Sequence, residues 1–162
     1  LAGWPTAVAA VTKLAKDAVL VSAGNSGGLA LADVPDAWSY TFYSPSAKRV
    51  YAAVVEHGGS PSVRDLGDAP GLTAVEPAAD IRSIAIGAAD AVAAARAFGE
   101  RSGTVPRNVF VVGSFAKTSG GAFRGGAPGV WRVTFASGTD LADAVAFDVD
   151  MMTANVTAVK DE

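Results

Sequence analysis

Cysteine is absent from this 162-residue chain, and histidine occurs once, at His57. Without a thiol there is no disulfide, no thiolate metal ligand and no cysteine nucleophile. One imidazole also leaves zinc or copper short of the several nitrogen or sulfur donors they take from a single chain. No apolar run approaches the roughly 20 residues that a membrane-spanning helix needs. Net charge is small: 13 Lys and Arg against 16 Asp and Glu give a formal −3, without the basic excess of a nucleic-acid-binding surface. An initiator Met and a basic-then-apolar leader are also missing from the start, Leu1-Ala2-Gly3-Trp4-Pro5. A removed signal peptide would leave such a start, as would trimming of the chain.

Half of the residues are hydrophobic, which excludes a disordered segment. A chain of this length buries roughly 70% of its unfolded surface, so it folds as one domain or as two small units sharing a core. An internal repeat organises it. Thr6-Ala7-Val8-Ala9-Ala10 is echoed by Asp90-Ala91-Val92-Ala93-Ala94, and the spacing of Val8, Val11 and Leu14 matches that of Val92, Ala95 and Phe98. Both segments predict amphipathic helices. Pro5 suits a first helical turn, and Gly99 and Gly103 are candidate stops for the second helix. Each is followed by a short apolar run, Val19–Val21 and Val109–Val112, and then by a Trp-led alternating strand. Alternation puts Trp38, Tyr40 and Phe42 on one face in the first half, and Trp131, Val133 and Phe135 on one face in the second. A further strand follows in each half, Arg49–Glu56 and Ala144–Asp150, the latter with Asp148 and Asp150 outward.

These patterns predict an α+β fold of two helix-then-antiparallel-strands repeats, with the sheets packed on the helices. The repeats span 1–63 and 83–162. The proline-bearing stretch between them, 64–82, reads as a linker draped over the surface, with room for a short strand around Leu72–Val75.

The order of elements resembles the PepSY and PepSY-like domains of bacterial extracytoplasmic proteins. The likeness is clearest over Asp90–Val159, where Val130–Phe135, Phe147-Asp148-Val149-Asp150 and Thr153-Ala154-Asn155-Val156 follow the family's closing pattern. Asn155 stands where the family usually has Gly or Lys. Pro5–Val63 resembles the same unit more loosely, with His57-Gly58-Gly59 at its closing turn. The resemblance implies a cystatin-like arrangement, a periplasmic, cell-surface or secreted location, and modulation of a peptidase.

Four constellations invite a chemical reading. Val21-Ser22-Ala23-Gly24-Asn25-Ser26-Gly27-Gly28 is similar to an oxyanion-hole Asn segment and to a serine-nucleophile segment. His57 follows Ser26 in the wrong order for one triad, and the companion motifs of the other are missing, so a glycine-rich turn is the expectation. His57 itself, at a strand end, reads as a solvated turn residue. Asp140, Asp143, Asp148 and Asp150 are the densest carboxylate group; calcium coordination and a paired-carboxylate hydrolase stand against a solvated acidic face, without a D-x-D-x-D-G loop. Gly120–Gly129 surrounds Phe123 and Arg124 with glycines but leads into a strand, so it reads as a long hairpin loop rather than a phosphate cradle.

The aromatic faces read as core. Ser39, Thr41 and Tyr43 should then form an outward strip. Phe123, Arg124 and Tyr43 are the candidate partner contacts. The expected function is a non-enzymatic extracytoplasmic binding or accessory module that modulates a peptidase or another envelope protein by surface recognition. The alternative is a structural subunit of a larger envelope or extracellular assembly. No cofactor, catalytic residue or metal site is expected; the partner is a protein, not a nucleic acid. The sequence leaves oligomeric state and calcium binding open.

Overall fold

The computed structural model describes residues 3–25, 37–56, 59–69, 72, 74–103, 105–119, 127–137 and 143–159. Helix α1 (Trp4–Thr12) starts at Gly3, whose φ of 76° is left-handed, with Pro5 in the first turn. It leads into β1 (Val19–Asn25), β2 (Ala37–Ser44), β3 (Arg49–Glu56) and β4 (Ser62–Asp68). The short strand β5 (Ala74–Pro77) precedes helix α2 (Ala88–Glu100). Strands β6 (Asn108–Ser114), β7 (Ala116–Ser119), β8 (Val130–Ala136), β9 (Val145–Asp150) and β10 (Val156–Ala158) complete the order.

Eight of these strands form one sheet in the order β10-β9-β8-β6-β1-β2-β3-β4, and β5 pairs with β7 in a second, two-stranded sheet. Every pairing is antiparallel. The expected α+β arrangement, two helix-then-strand repeats with sheets packed on helices, is thereby corrected. Among the described residues 48% are strand and 17% helix, and the sheet is continuous. The physical reason lies at β1 and β6. Each would be a sheet edge with unpaired backbone groups if its half stood alone; pairing Ser22, Ala23 and Gly24 with Ser114, Gly113 and Val112 removes both edges.

One row of side chains crosses all eight strands on the inner face: Val156, Val149, Trp131, Gly113, Ala23, Tyr40, Ala53 and Val63. Small residues sit at the centre of the row, where the rings of Trp131 and Tyr40 fill the space from either side. A Cβ on Gly113 would lie 2.6 Å from the Trp131 ring. Trp38, Phe42, Val133 and Phe135 are buried on the same face. Trp38 meets Trp131 edge-on at 6.4 Å, which joins the two halves in one core.

Both helices lie on this inner face. Helix α1 contacts β2, β3 and β4; α2 contacts β6, β8, β9 and β10. Val11 is fully buried as its spacing predicts, but Leu14 lies beyond the helix and is 61% exposed. Gly99 does not stop α2. It is buried inside the helix, against Val105 and Phe147.

The opposite face carries a smaller cluster, Val21, Tyr43 and Val50, covered by Ala69, Leu72 and Val75. The stretch read as linker is therefore structured at both ends: β4 pairs with β3 along the sheet edge, and β5 pairs with β7. Val75 packs on the outer cluster and Ile81 in the inner core, so residues 75–81 cross from one face to the other.

Candidate functional site

Helix α1 divides its side chains at i, i+4 spacing. Ala7 and Val11 enter the core, whereas Trp4, Val8 and Thr12 face an open groove. Leu20 and Phe42 form part of its floor, and residues 77–82 with Phe115 form the facing wall. Its volume is about 990 Å³. Trp4 is fixed in place by stacking on Phe42, with centroids 5.9 Å apart and planes 9° apart, and by a tilted contact with Tyr40 at 5.7 Å. Gly3, just before it, lies close against Val55: a Cβ there would overlap the Val55 side chain.

The groove is apolar apart from its rim. Thr12 Oγ1 donates to the Val8 carbonyl at 2.8 Å, within the helix. Arg82 donates from Nε and Nη2 to the Asp80 carboxylate, the shortest bond being 2.7 Å, and holds its pKa down to about 2. Buried Phe115 supports the far wall: its carbonyl accepts from the Ala78 and Ala79 N–H groups, both at 3.0 Å, and its N–H donates to the Val21 carbonyl at 2.9 Å. Such a surface recognises apolar groups by shape and burial. Among the described residues that line it, none is a nucleophile paired with a base.

The sequence-level candidates lie elsewhere. Phe123, Arg124, Ser26, His57 and Asp140 fall outside the described residues. Tyr43 is on the outward face, but at 7% exposure under Ala69, Leu72 and Val75 it presents little surface to a partner. Asn25 is part of the sheet and not a free donor for an oxyanion: its side-chain Oδ1 accepts from Val111 N–H at 2.8 Å and its Nδ2 donates to the Val109 carbonyl at 3.3 Å. Asp148 forms a two-point ion pair with Arg132, both contacts 2.9 Å, which raises the guanidinium pKa. Asp150 accepts from the Thr153 hydroxyl and from the Thr153 and Met152 N–H groups, all within 3.0 Å, which lowers its pKa. Asp143 accepts from the Ser137 N–H at 3.3 Å. Each of these three carboxylates is thus committed to a local structural bond. Among the described residues no group of three acidic or histidine side chains is placed to hold a metal ion, and no helix is long and apolar enough to cross a membrane.

Sequence reasoning missed the groove. Trp4, Val8 and Thr12 carried the available signal, a second i, i+4 stripe beside the buried one. Nothing in residues 77–82 shows that they would stand opposite it. No family model, no curated protein and no solved structure matches the chain.

Proposed function

We propose that this protein is a non-enzymatic binding module whose groove beside α1 takes an apolar segment of a protein partner. The observation that carries this reading is the groove's make-up: a wall of Trp4 and Val8 over a floor of Leu20 and Phe42, with charge confined to the Asp80–Arg82 pair. Its volume is at the upper end of the roughly 300–1,000 Å³ of ligand sites. The sheet edges offer less. Strand β4 is marked by Arg64, Asp65 and Asp68, and β10 is three residues long, both features that discourage strand addition. Among the described residues the exposed large apolar side chains, Leu14, Leu66, Val112, Val145 and Met152, are spread over different strands and turns. The PepSY resemblance over 90–159 supports an extracytoplasmic setting and a peptidase as the partner class.

Affinity capture of the tagged protein from its source cells, after mild cross-linking, tests the reading. A stoichiometric protein partner should be recovered by the wild type and lost by Val8→Arg, which places a charge in the groove. Equal recovery by Val8→Arg would reject the groove as the binding site. A peptidase partner should also turn over its substrate at a different rate when the purified protein is added.

A further inference from the structure

Residues 78–86 are held at two points. The Ala78 and Ala79 N–H groups share the Phe115 carbonyl at one end, and the Ala85 and Ile86 N–H groups share the Met151 carbonyl, at 3.1 and 2.9 Å, at the other. Between these anchors the hydrogen bonds of residues 80–83 stay within the turn. Asp80 accepts from Arg82 N–H at 2.9 Å and from the Arg82 guanidinium, while the Ser83 N–H and hydroxyl both donate to the Asp80 carbonyl at 2.9 Å. The turn is a preformed unit that keeps its own bonds wherever it sits. One of its side chains is buried: Ile81, 8% exposed, reaches the inner core, while Asp80, Arg82 and Ser83 are exposed.

We infer that residues 80–84 are a hinged wall of the groove, latched by Ile81, that swings out between the Phe115 and Met151 anchors to admit or release the occupant. That the wall opens onto a binding site rests on the function proposed above; its motion does not. Opening withdraws Ile81 and the partly buried Ile84 from the core and breaks none of the four anchoring bonds. It is a local event, drawn from the low-stability end of the molecule's range of openings.

The absence of cysteine makes the test direct, because any introduced thiol is the sole one. Ile81→Cys and Val133→Cys, the latter fully buried in β8, are each labelled with a thiol reagent under native conditions. Local opening predicts that Ile81→Cys reacts at least about a hundredfold faster than Val133→Cys, at a rate that changes little with low urea. Equal rates with the same urea dependence would overturn the proposal, because Ile81 would then be released only by global unfolding. Should Ile81→Cys fail to fold, Ile84→Cys, partly buried against the core in the same 80–84 segment, gives the same comparison. Failure of the binding reading shows separately, as unchanged partner capture by Val8→Arg.

Discussion

The Asn25 side-chain amide continues the β1–β6 ladder after backbone pairing has ended. Backbone pairing stops at Gly24 and Val112, and Asn25 then bonds to Val111 N–H at 2.8 Å and to the Val109 carbonyl at 3.3 Å. A side-chain amide has the same donor and acceptor as a peptide group, so it extends the seam between the two halves of the sheet. Asn25→Ala leaves a half-buried N–H and C=O without these partners. It should cost about 1–3 kcal/mol, read as a lower denaturant midpoint at unchanged slope, and the Val111 amide should exchange faster. An unaltered midpoint would show that the seam does not depend on this residue.

At the next inner-face position, tolerance is limited by volume. A methyl group on Gly113 would meet Trp131 at 2.6 Å and Met151 Cε at 2.9 Å. Trp131 cannot easily give way, because it is fully buried and its indole N–H donates to the Ile86 carbonyl at 2.7 Å. Gly113→Ala should therefore destabilise by about 1–3 kcal/mol through overpacking. The Gly113→Ala/Trp131→Phe pair should lose less than the sum of the two single variants, since the smaller ring frees space. Additive losses in a denaturation cycle would locate the strain elsewhere.

Much of the sheet was legible because alternation is a local property. Trp38, Tyr40 and Phe42, and likewise Trp131, Val133 and Phe135, lie on the buried face that period two assigns them. Strand β3 spans Arg49–Glu56 as read from sequence. What escaped the sequence depends on contacts between distant residues. Pairing of Ala23 with Gly113 spans the two halves, and neither residue alone announces that the halves share a sheet. The edge strand Ser62–Asp68 lacks a continuous apolar face, so its larger part, from Arg64 on, read as linker. Tyr43 followed the alternation correctly, but the cover that Ala69, Leu72 and Val75 supply cannot be read from β2 itself. The groove was invisible for the same reason.

The β9–β10 turn contains a strain that one substitution should relieve. Ala154 has φ of 60°, the left-handed region, one residue before Asn155, the position at which the PepSY-like pattern usually has Gly or Lys. Its N–H donates to the Asp150 carbonyl at 3.1 Å, and Asp150 N–H donates to the Asn155 carbonyl at 2.9 Å, so the turn cannot relax without losing bonds. A left-handed L-residue costs roughly 1–2 kcal/mol, part of which glycine gives back as unfolded-state entropy. Ala154→Gly should raise stability by up to about 1 kcal/mol. Asn155→Gly should not, because Asn155 is not in that region. Thermal melts of the two variants decide between the positions.

Acid should weaken the β2–β3 turn through Asp17. Its carboxylate accepts from the hydroxyl of fully buried Ser44 at 2.7 Å and from Ser46 N–H at 2.7 Å, while Ser44 Oγ also accepts from Ala47 N–H at 3.2 Å. The Ser44 and Ser46 bonds hold the Asp17 pKa below the ordinary 3.8, with Ser44 the larger cause. A folded value below the unfolded one means that the charged carboxylate adds stability, in full above the unfolded value, and that this is lost as pH falls through the folded value. Asp80, brought down to about 2 by Arg82, adds to the same acid limb. Tyr40 sets the alkaline limb with the opposite sign: burial pushes its phenol from the ordinary 10.0 up to about 12, so its contribution to stability is complete below 10.0 and is lost as pH rises from there toward about 12. Asp17→Asn should be less stable than wild type at neutral pH, and its stability should fall less steeply as pH drops below about 4. Wild type and variant falling in parallel over that range would show that Asp17 does not hold the turn.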